Sequence, residues 1–218
     1  MIKKIVYAFI SIFIFIFSTH AQQEFQEDLT QLDFKTLDNE YRKYYKSSKT
    51  LEATKYANAY FYKGKKEKDT INIIRGCFYR KTLDKDHHRI DLYDTIIQLT
   101  KKNEKYNAYA AVAYYDRGVL FYNNLHYSKA LSDFINSYNY NKTFPNISLD
   151  YRINLSIVKI KLNVEENQEA LDTLKSLWKR VKPYKGKYNI QYNSTLFSLA
   201  DAYRRLQYID SAKTDIKL

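Results

Sequence analysis

The sequence predicts an all-α chain of paired helices, about five helical hairpins in succession. Three observations carry this. From Phe25 onward the apolar residues recur at steps of three and four and never alternate over a useful length, which is the period of a helix and not of a strand. Short polar breaks rich in turn formers interrupt the pattern at Lys46-Ser47-Ser48, Lys63-Gly64-Lys65, Asp84 to His88, Lys101 to Asn103, Asn123-Asn124, Asn141 to Asn146, Asn163 to Asn167 and Pro183 to Gly186. Small residues recur in pairs about twelve positions apart, one on each side of a break, which lets two antiparallel helices approach closely.

Ten helices of about 10 to 18 residues fit between the breaks. The first hairpin, 25–63, carries Tyr41 and Tyr44 with Ala53 and Ala57, although Tyr41 is large where the pattern asks for a small residue. The second, 69–102, places Gly76 and Tyr79 opposite Ile90, Tyr93 and Ile97 across a longer loop. The third, 106–141, is the clearest, with Tyr114, Gly118, Phe121, Tyr127, Ala130, Phe134 and Ser137. Here Gly118 and Ala130 form the close contact and Phe121 and Phe134 fill the space beside it. The fourth, 147–182, offers Leu155 and Ser156 with Ala170 and Leu174, and Lys159 stands where an aromatic is expected. The fifth, 189–218, restores the pattern with Tyr192, Leu196, Leu199, Ala200, Tyr203, Tyr208 and Ala212. The small positions 76, 118, 156 and 200 lie 42, 38 and 44 apart, a loose repeat. Ser128 and Asp210-Ser211 suit N-caps of second helices, and Pro145 and Pro183 fall where second helices have ended.

The aromatic, small, aromatic order of the first helix, followed by Ala and an aromatic four later in the second, resembles the tetratricopeptide repeat (TPR). The resemblance implies an α-α superhelix, a TPR-like solenoid with a repeat core of Gly76, Tyr79, Gly118, Phe121, Ala130, Phe134, Ala170, Leu199, Ala200, Tyr203 and Ala212. First helices of such repeats line a concave side, so it also implies a groove of Val112, Tyr115, Val119, Tyr122, Ile153, Ile157, Ile160, Phe197, Asp201 and Arg204. The alternative is that neighbouring repeats cover these residues. A basic clamp for a C-terminal carboxylate would need Lys or Asn where Tyr115 and Val119 stand, so the implied groove is apolar and takes a helix or extended peptide. Three stretches carry a wider likeness: Ala57-Asn58-Ala59-Tyr60 with Lys68-Asp69-Thr70-Ile71, then Gly118 to Phe134, then Leu196 to Ala212. Together they are similar to the sensor region of Bacteroidetes regulators that join a signal sequence, TPRs, a transmembrane helix and an AraC-type helix-turn-helix.

Lys3 and Lys4 precede an apolar run, Ile5 to Phe17, and Thr19 and Ala21 occupy the positions a signal peptidase reads. Residues 1–21 are therefore expected to be a signal peptide and 22–218 the helical repeat domain, exported and periplasmic. The alternative is an uncleaved anchor, for which the run is short against the roughly 20 residues of a spanning helix. The last helix expected here begins at Asp210-Ser211 and reaches only Leu218, which leaves a repeat face uncapped. That points to a portion of a longer protein, with self-association through the uncapped face as a further partner.

The net charge of +12 falls to +10 without Lys3 and Lys4, and the basic residues spread along the chain without a cluster, against a nucleic-acid partner for this segment. Membrane contact is expected only through an uncleaved run or a downstream transmembrane helix. Cys77 has no second cysteine to pair with and no histidine at a recognisable spacing, so it reads as a buried structural residue. His20, His126 and the pair His87-His88 lack the spacing of a zinc site, and Asp84, Asp86 and the pair read as a solvated helix start. No phosphate loop or nucleophile motif is found, so no cofactor and no enzymatic activity are expected. The functional expectation is a protein- or peptide-binding module, the sensor part of a regulator. A structural scaffold in an envelope assembly and, last, a carbohydrate-binding or enzymatic superhelix are the alternatives.

Overall fold

In the computed structural model, which describes residues 29–83, 89–101, 103–184 and 189–208, the helical periodicity becomes nine α-helices, with no strand among the described residues. They are α1 (Phe34–Lys46), α2 (Thr50–Lys66), α3 (Thr70–Leu83), α4 (Arg89–Thr100), α5 (Asn107–Asn123), α6 (Tyr127–Asn141), α7 (Ile147–Asn163), α8 (Asn167–Val181) and α9 (Asn189–Arg205). The expected signal peptide, the Asp84 to His88 cluster and Ala212 lie outside the described residues. The chain forms two units, residues 1–99 and 100–218, and each is described by itself.

One turn geometry ends five of these helices. Ser48, Lys68, Leu125, Glu165 and Gln207 all adopt positive φ, between 54° and 65°, each two residues beyond a helix end. The next residue then donates its N–H back to a carbonyl in the helix: Lys49 to Tyr44, Asp69 to Gly64, His126 to Phe121, Glu166 to Lys161 and Tyr208 to Tyr203, at 2.8 to 3.0 Å. This is a Schellman ending, in which a left-handed residue folds the chain back to satisfy carbonyls that the helix leaves open. In the four turns that enter a described helix, the same donor residue starts it, because the carbonyls of Lys49, Asp69, His126 and Glu166 accept the first bond of the following helix. Ser128 therefore does not cap α6 as expected: His126 holds the cap position with no side-chain bond, and Ser128 lies in the first turn. In the second unit Leu125, Glu165 and Gln207 recur 40 and 42 residues apart, each without the glycine that is common in such turns.

Counting from these turns shows how the paired helices fit. Gly118 is seven residues before Leu125, and a Cβ there would stand 2.8 Å from the Phe134 ring, so the glycine exists to seat that ring. The equivalent pair in the first unit is Tyr41 and Ala57, which share one buried cluster. The large and small partners have changed helices. Tyr41 is thus accommodated by the alanines of α2, which explains its presence where a small residue was expected. Between α7 and α8 the same positions hold Val158 and Leu174, two middle-sized residues in one core. Val158 and not Ser156 is the counterpart of Gly118 there; it lies twelve before Ala170, and Ser156 instead faces Tyr115 at 3.4 Å between hydroxyl oxygens.

Gly76 corrects another expectation. It packs against the preceding helix, where an added Cβ would meet the Phe61 main chain at 2.6 Å, and not against Ile90, Tyr93 and Ile97. Gly64 faces the main chain at Asn72 and Ile73 in the same way, so the helices α2 and α3 touch backbone to backbone. This is why the expected break at Lys63-Gly64-Lys65 is helical, and the connection is Glu67 to Asp69. In the first unit α3 also reaches α1, with Tyr79 stacked on Tyr41 at 4.2 Å and the Tyr41 and Thr82 hydroxyls 2.7 Å apart.

In the second unit each helix from α5 to α9 packs on the next, and α7 also touches α5 and α9. Contacts between alternate helices include Tyr151 donating to the Gln191 carbonyl at 2.7 Å and Arg205 to the Leu162 carbonyl at 2.7 Å. Within the α5–α6 pair, Arg117 grips the buried Asp133 through two nitrogens at 2.8 and 2.7 Å while lying 5.3 Å from the Tyr114 ring. The buried Ser137 hydroxyl donates to the Ala111 carbonyl at 2.7 Å. Removing one member of a buried pair such as Arg117–Asp133 costs about 3–5 kcal/mol, since the other charge is stranded away from water.

Two outcomes follow. Gly76→Ala should destabilise by about 2–3 kcal/mol and Gly118→Ala by about 1 kcal/mol, because the obstacle at Gly76 is main chain and at Gly118 a ring that Phe134→Leu would shrink. Denaturant midpoints of the two variants, with Gly118→Ala/Phe134→Leu beside them, check the order. Leu125→Gly should raise stability by about 0.5–1 kcal/mol, since the left-handed strain is relieved and a side chain that is 72% exposed loses little packing. Thermal unfolding reads that gain.

Candidate functional site

The expected groove divides in two. On α5 and α7, Val112, Tyr115, Val119, Tyr122, Ile153, Ile157 and Ile160 meet in one apolar cluster with Phe134 and Leu149. Ile153 is fully buried and Ile160 nearly so, while Val112, Val119, Tyr122 and Ile157 are half-buried, so this part of the set mainly joins helices, with Tyr122 at its edge. Tyr115 is buried too, with the Arg152 guanidinium 4.3 Å from its ring centre. Neighbouring elements cover this part of the groove.

The other part is open. Phe197 on α9 is 75% exposed, and beside it Asp201 bonds Arg204 at 2.6 Å and Arg205 at 2.9 Å. Burial opposes the charge on Asp201, but these two guanidinium bonds outweigh it and hold the carboxyl below its usual range. A cleft of about 320 Å³ lies here, lined by Tyr122, Lys159, Leu162, Asn163, Phe197, Ser198, Asp201 and Arg205. Its back is fixed by the Asn163 amide, which donates to the Tyr122 hydroxyl at 3.0 Å and to that of Tyr127 at 3.3 Å. Three expected residues, Tyr122, Phe197 and Asp201, therefore share one cleft, and Arg204 stands next to it on α9. Lys159, Asn163 and Arg205 are additions. Lys159 and Asn163 are one helical turn apart on α7, and Lys159 precedes Asp201 by about one repeat, a spacing from which the sequence could have placed them.

A second, larger cleft of about 630 Å³ lies in the first unit and was not foreseen. The helix α1 supplies Phe34, Lys35, Asp38 and Arg42, the helix α2 Tyr60, and α3 Asn72, Arg75, Phe78 and Tyr79. Arg42 pairs with Asp38 at 2.8 Å, and the Tyr79 hydroxyl donates to the same carboxylate. Burial, and then the hydrogen bond to Asp38 and its charge, push the Tyr79 hydroxyl up to about 12. The available signal was the i, i+3, i+7 series Lys35, Asp38, Arg42, which puts three charges on one face of a helix whose Leu37 and Tyr41 are buried.

Among the described residues no group of three or more His, Cys, Asp or Glu could hold a metal ion. Among them, too, no helix is long and apolar enough to cross a membrane. His126 caps α6 and lies 6.4 Å from the Phe121 ring. The repeat-core residues Gly118, Ala130, Phe134, Ala170, Leu199 and Tyr203 are buried, with Phe121 and Tyr79 half-buried, while Ala200 is exposed and its expected partner Ala212 falls outside the described residues. Many cations lie over aromatic rings, among them Lys65 and Arg80 over Phe61, Lys129 over Phe121 and Lys175 over Tyr203, so much of the positive charge is dispersed across the structure. The chain matches no family model and no curated protein.

Cys77 is fully buried, and burial pushes its thiol up to about 12, so almost no thiolate exists at neutral pH. A thiol reagent at pH 8 should label the native protein negligibly and the denatured protein fully, at one thiol per chain. Rapid labelling of the native state would contradict the buried placement.

Proposed function

We propose that the chain is a tetratricopeptide-type module that binds a protein or peptide segment, exported to the periplasm, and that it serves as the sensor part of a regulator. The observation that carries the binding reading is the cleft of the second unit, where α5, α7 and α9, the first helices of successive hairpins, converge on Tyr122, Lys159 and the exposed Phe197. An exposed aromatic beside paired and unpaired charges is the composition of a peptide-anchoring spot, and aromatic anchors dominate such contacts. The roughly 40-residue recurrence of the turns supports the repeat reading. Export rests on the apolar run Ile5 to Phe17, and the sensor role on the sequence resemblance.

The groove is narrower than expected, since the α5–α7 seam is filled by its own side chains. It therefore fits a short segment with one apolar anchor for Phe197 and an acidic group for Lys159. A scaffold role is the second reading, favoured by Ile190 and Phe197, which are 80% and 75% exposed on α9.

Peptides selected from a displayed library on the purified protein would be measured by fluorescence anisotropy. Phe197→Ala and Lys159→Glu should each weaken the selected peptide by roughly ten- to thirty-fold with helicity unchanged. Unchanged affinity in both would reject the cleft as the binding site. Light scattering on the same samples separates the scaffold reading, which requires a mass above one chain that Ile190→Ser lowers.

A further inference from the structure

The helix ends of the second unit fall into two groups, and one group is basic with apolar side chains standing out of it. The start of α5, the α6–α7 turn, the end of α8 and the start of α9 are tied together there. The Asn107 amide donates to the Thr143 hydroxyl at 3.1 Å, Arg180 pairs with Asp150 at 2.7 Å, and the Trp178 and Tyr192 rings lie 4.9 Å apart. At this end Phe144, Ile147 and Ile190 are 54%, 79% and 80% exposed. Single exposed apolar residues are ordinary, but here three fall at one end.

The α6–α7 turn, which carries two of them, is fixed from within. The Asn141 amide donates to the Asn146 carbonyl at 3.2 Å and accepts from the Asn146 N–H at 3.0 Å, while the Asn146 side chain accepts from the Leu149 N–H and caps α7. These polar groups are satisfied inside the turn, so they need no water when the apolar tip leaves it.

Lysines surround the tip. Lys105, Lys142, Lys179 and Lys182 are exposed at the same helix ends, and none is ion-paired among the described residues. Lys105, Lys142 and Lys182 lie over the rings of Tyr106, Tyr138 and Trp178, contacts that leave the charge whole. Among the described residues the acids at this end are Asp150, held by Arg180, and the exposed Glu104. Glu165, Glu166 and Glu169 stand instead at the opposite end, around the start of α8. We propose that the basic end docks on an anionic lipid surface, with Phe144, Ile147 and Ile190 entering the headgroup layer and the lysines pairing with lipid phosphates.

A bilayer surface suits this end better than a protein partner does. Lysine is depleted at protein interfaces, whereas anionic headgroups attract it, and apolar burial at the headgroup boundary adds to that attraction. Tyr138, exposed beside Lys142, is the kind of amphipathic ring that favours the boundary. The contact is peripheral and needs no spanning helix. The peptide cleft, at Tyr122, Asn163 and Arg205, lies at the far ends of α5, α7 and α9, so the lipid proposal stands whether or not that reading holds.

Flotation of the purified protein with vesicles of phosphatidylcholine alone, and of phosphatidylcholine mixed with phosphatidylglycerol, tests the proposal. The mixed vesicles should bind at least about ten-fold more tightly. Lys142→Gln/Lys179→Gln should weaken that binding about ten- to thirty-fold, and Phe144→Ser/Ile147→Ser about ten-fold. Lys129→Glu removes the same net charge at the opposite end and should change binding by less than about two-fold. Every variant keeps the apolar run Ile5 to Phe17, so its own affinity for lipid enters all measurements equally. Circular dichroism confirms folding, and Ile147→Ser alone serves if the apolar pair does not fold. No preference for the mixed vesicles, unchanged affinity in the lysine pair, or an equal loss in Lys129→Glu would each overturn the proposal. So would unchanged affinity in the apolar variants, which marks a surface for soluble polyanions.

Discussion

Close approach of adjacent helices, with a bulky side chain on one seated against a small one on the other, is the constraint on which the rest of the structure depends. Gly118 receives Phe134, Gly76 receives the main chain at Phe61, and Ala57 shares its cluster with Tyr41. The sum of sizes at the contact is kept while the assignment of large and small to either helix is free. Helices held this near leave little room for water, and the polar groups admitted are consequently paired: Arg117 with Asp133, Ser137 with a carbonyl, Tyr151 with Gln191 and Thr195. An exception is the Trp178 indole nitrogen, buried with no hydrogen-bond partner, for which we have no physical account.

Helix positions were legible in the sequence because burial on one face imposes a three-to-four residue period whatever the detailed packing. Register was less so. A glycine announces a close contact but not its direction, and Gly76 turns to α2 because Phe61 lies there. Ser156 looks like a small-position residue, yet the chain places Val158 at the contact, and only the turn at Glu165 sets that count. Caps misled for a related reason: a Schellman turn makes its own donor residue the start of the next helix, so Ser128 had no capping role to fill.

The expected groove shows how far a pattern of first-helix residues reaches. The pattern names residues along one side of each helix, but their exposure depends on what the neighbouring helix brings to that side. Between α5 and α7 the isoleucines Ile153, Ile157 and Ile160 close the gap, whereas beside α9 the exposed Phe197 and the paired Asp201 leave it open. The first-unit cleft escaped notice because its rings also stack within the core, so Tyr60 and Tyr79 serve packing and cleft surface at once. Composition alone does not separate those duties.

The turns at Ser48, Lys68, Leu125, Glu165 and Gln207 carry residues that favour other backbone conformations. Each is locally uphill, and in an isolated segment the chain would open there before it opened anywhere else. For the four turns that join two described helices, what holds the turn shut is the side-chain interlock several residues away in those helices. Turn and interlock must therefore form together, which ties each helix to its partner during folding and leaves half-formed hairpins thinly populated. A domain assembled from such units gains cooperativity from its strained corners, where glycine would have allowed the parts to come apart one at a time.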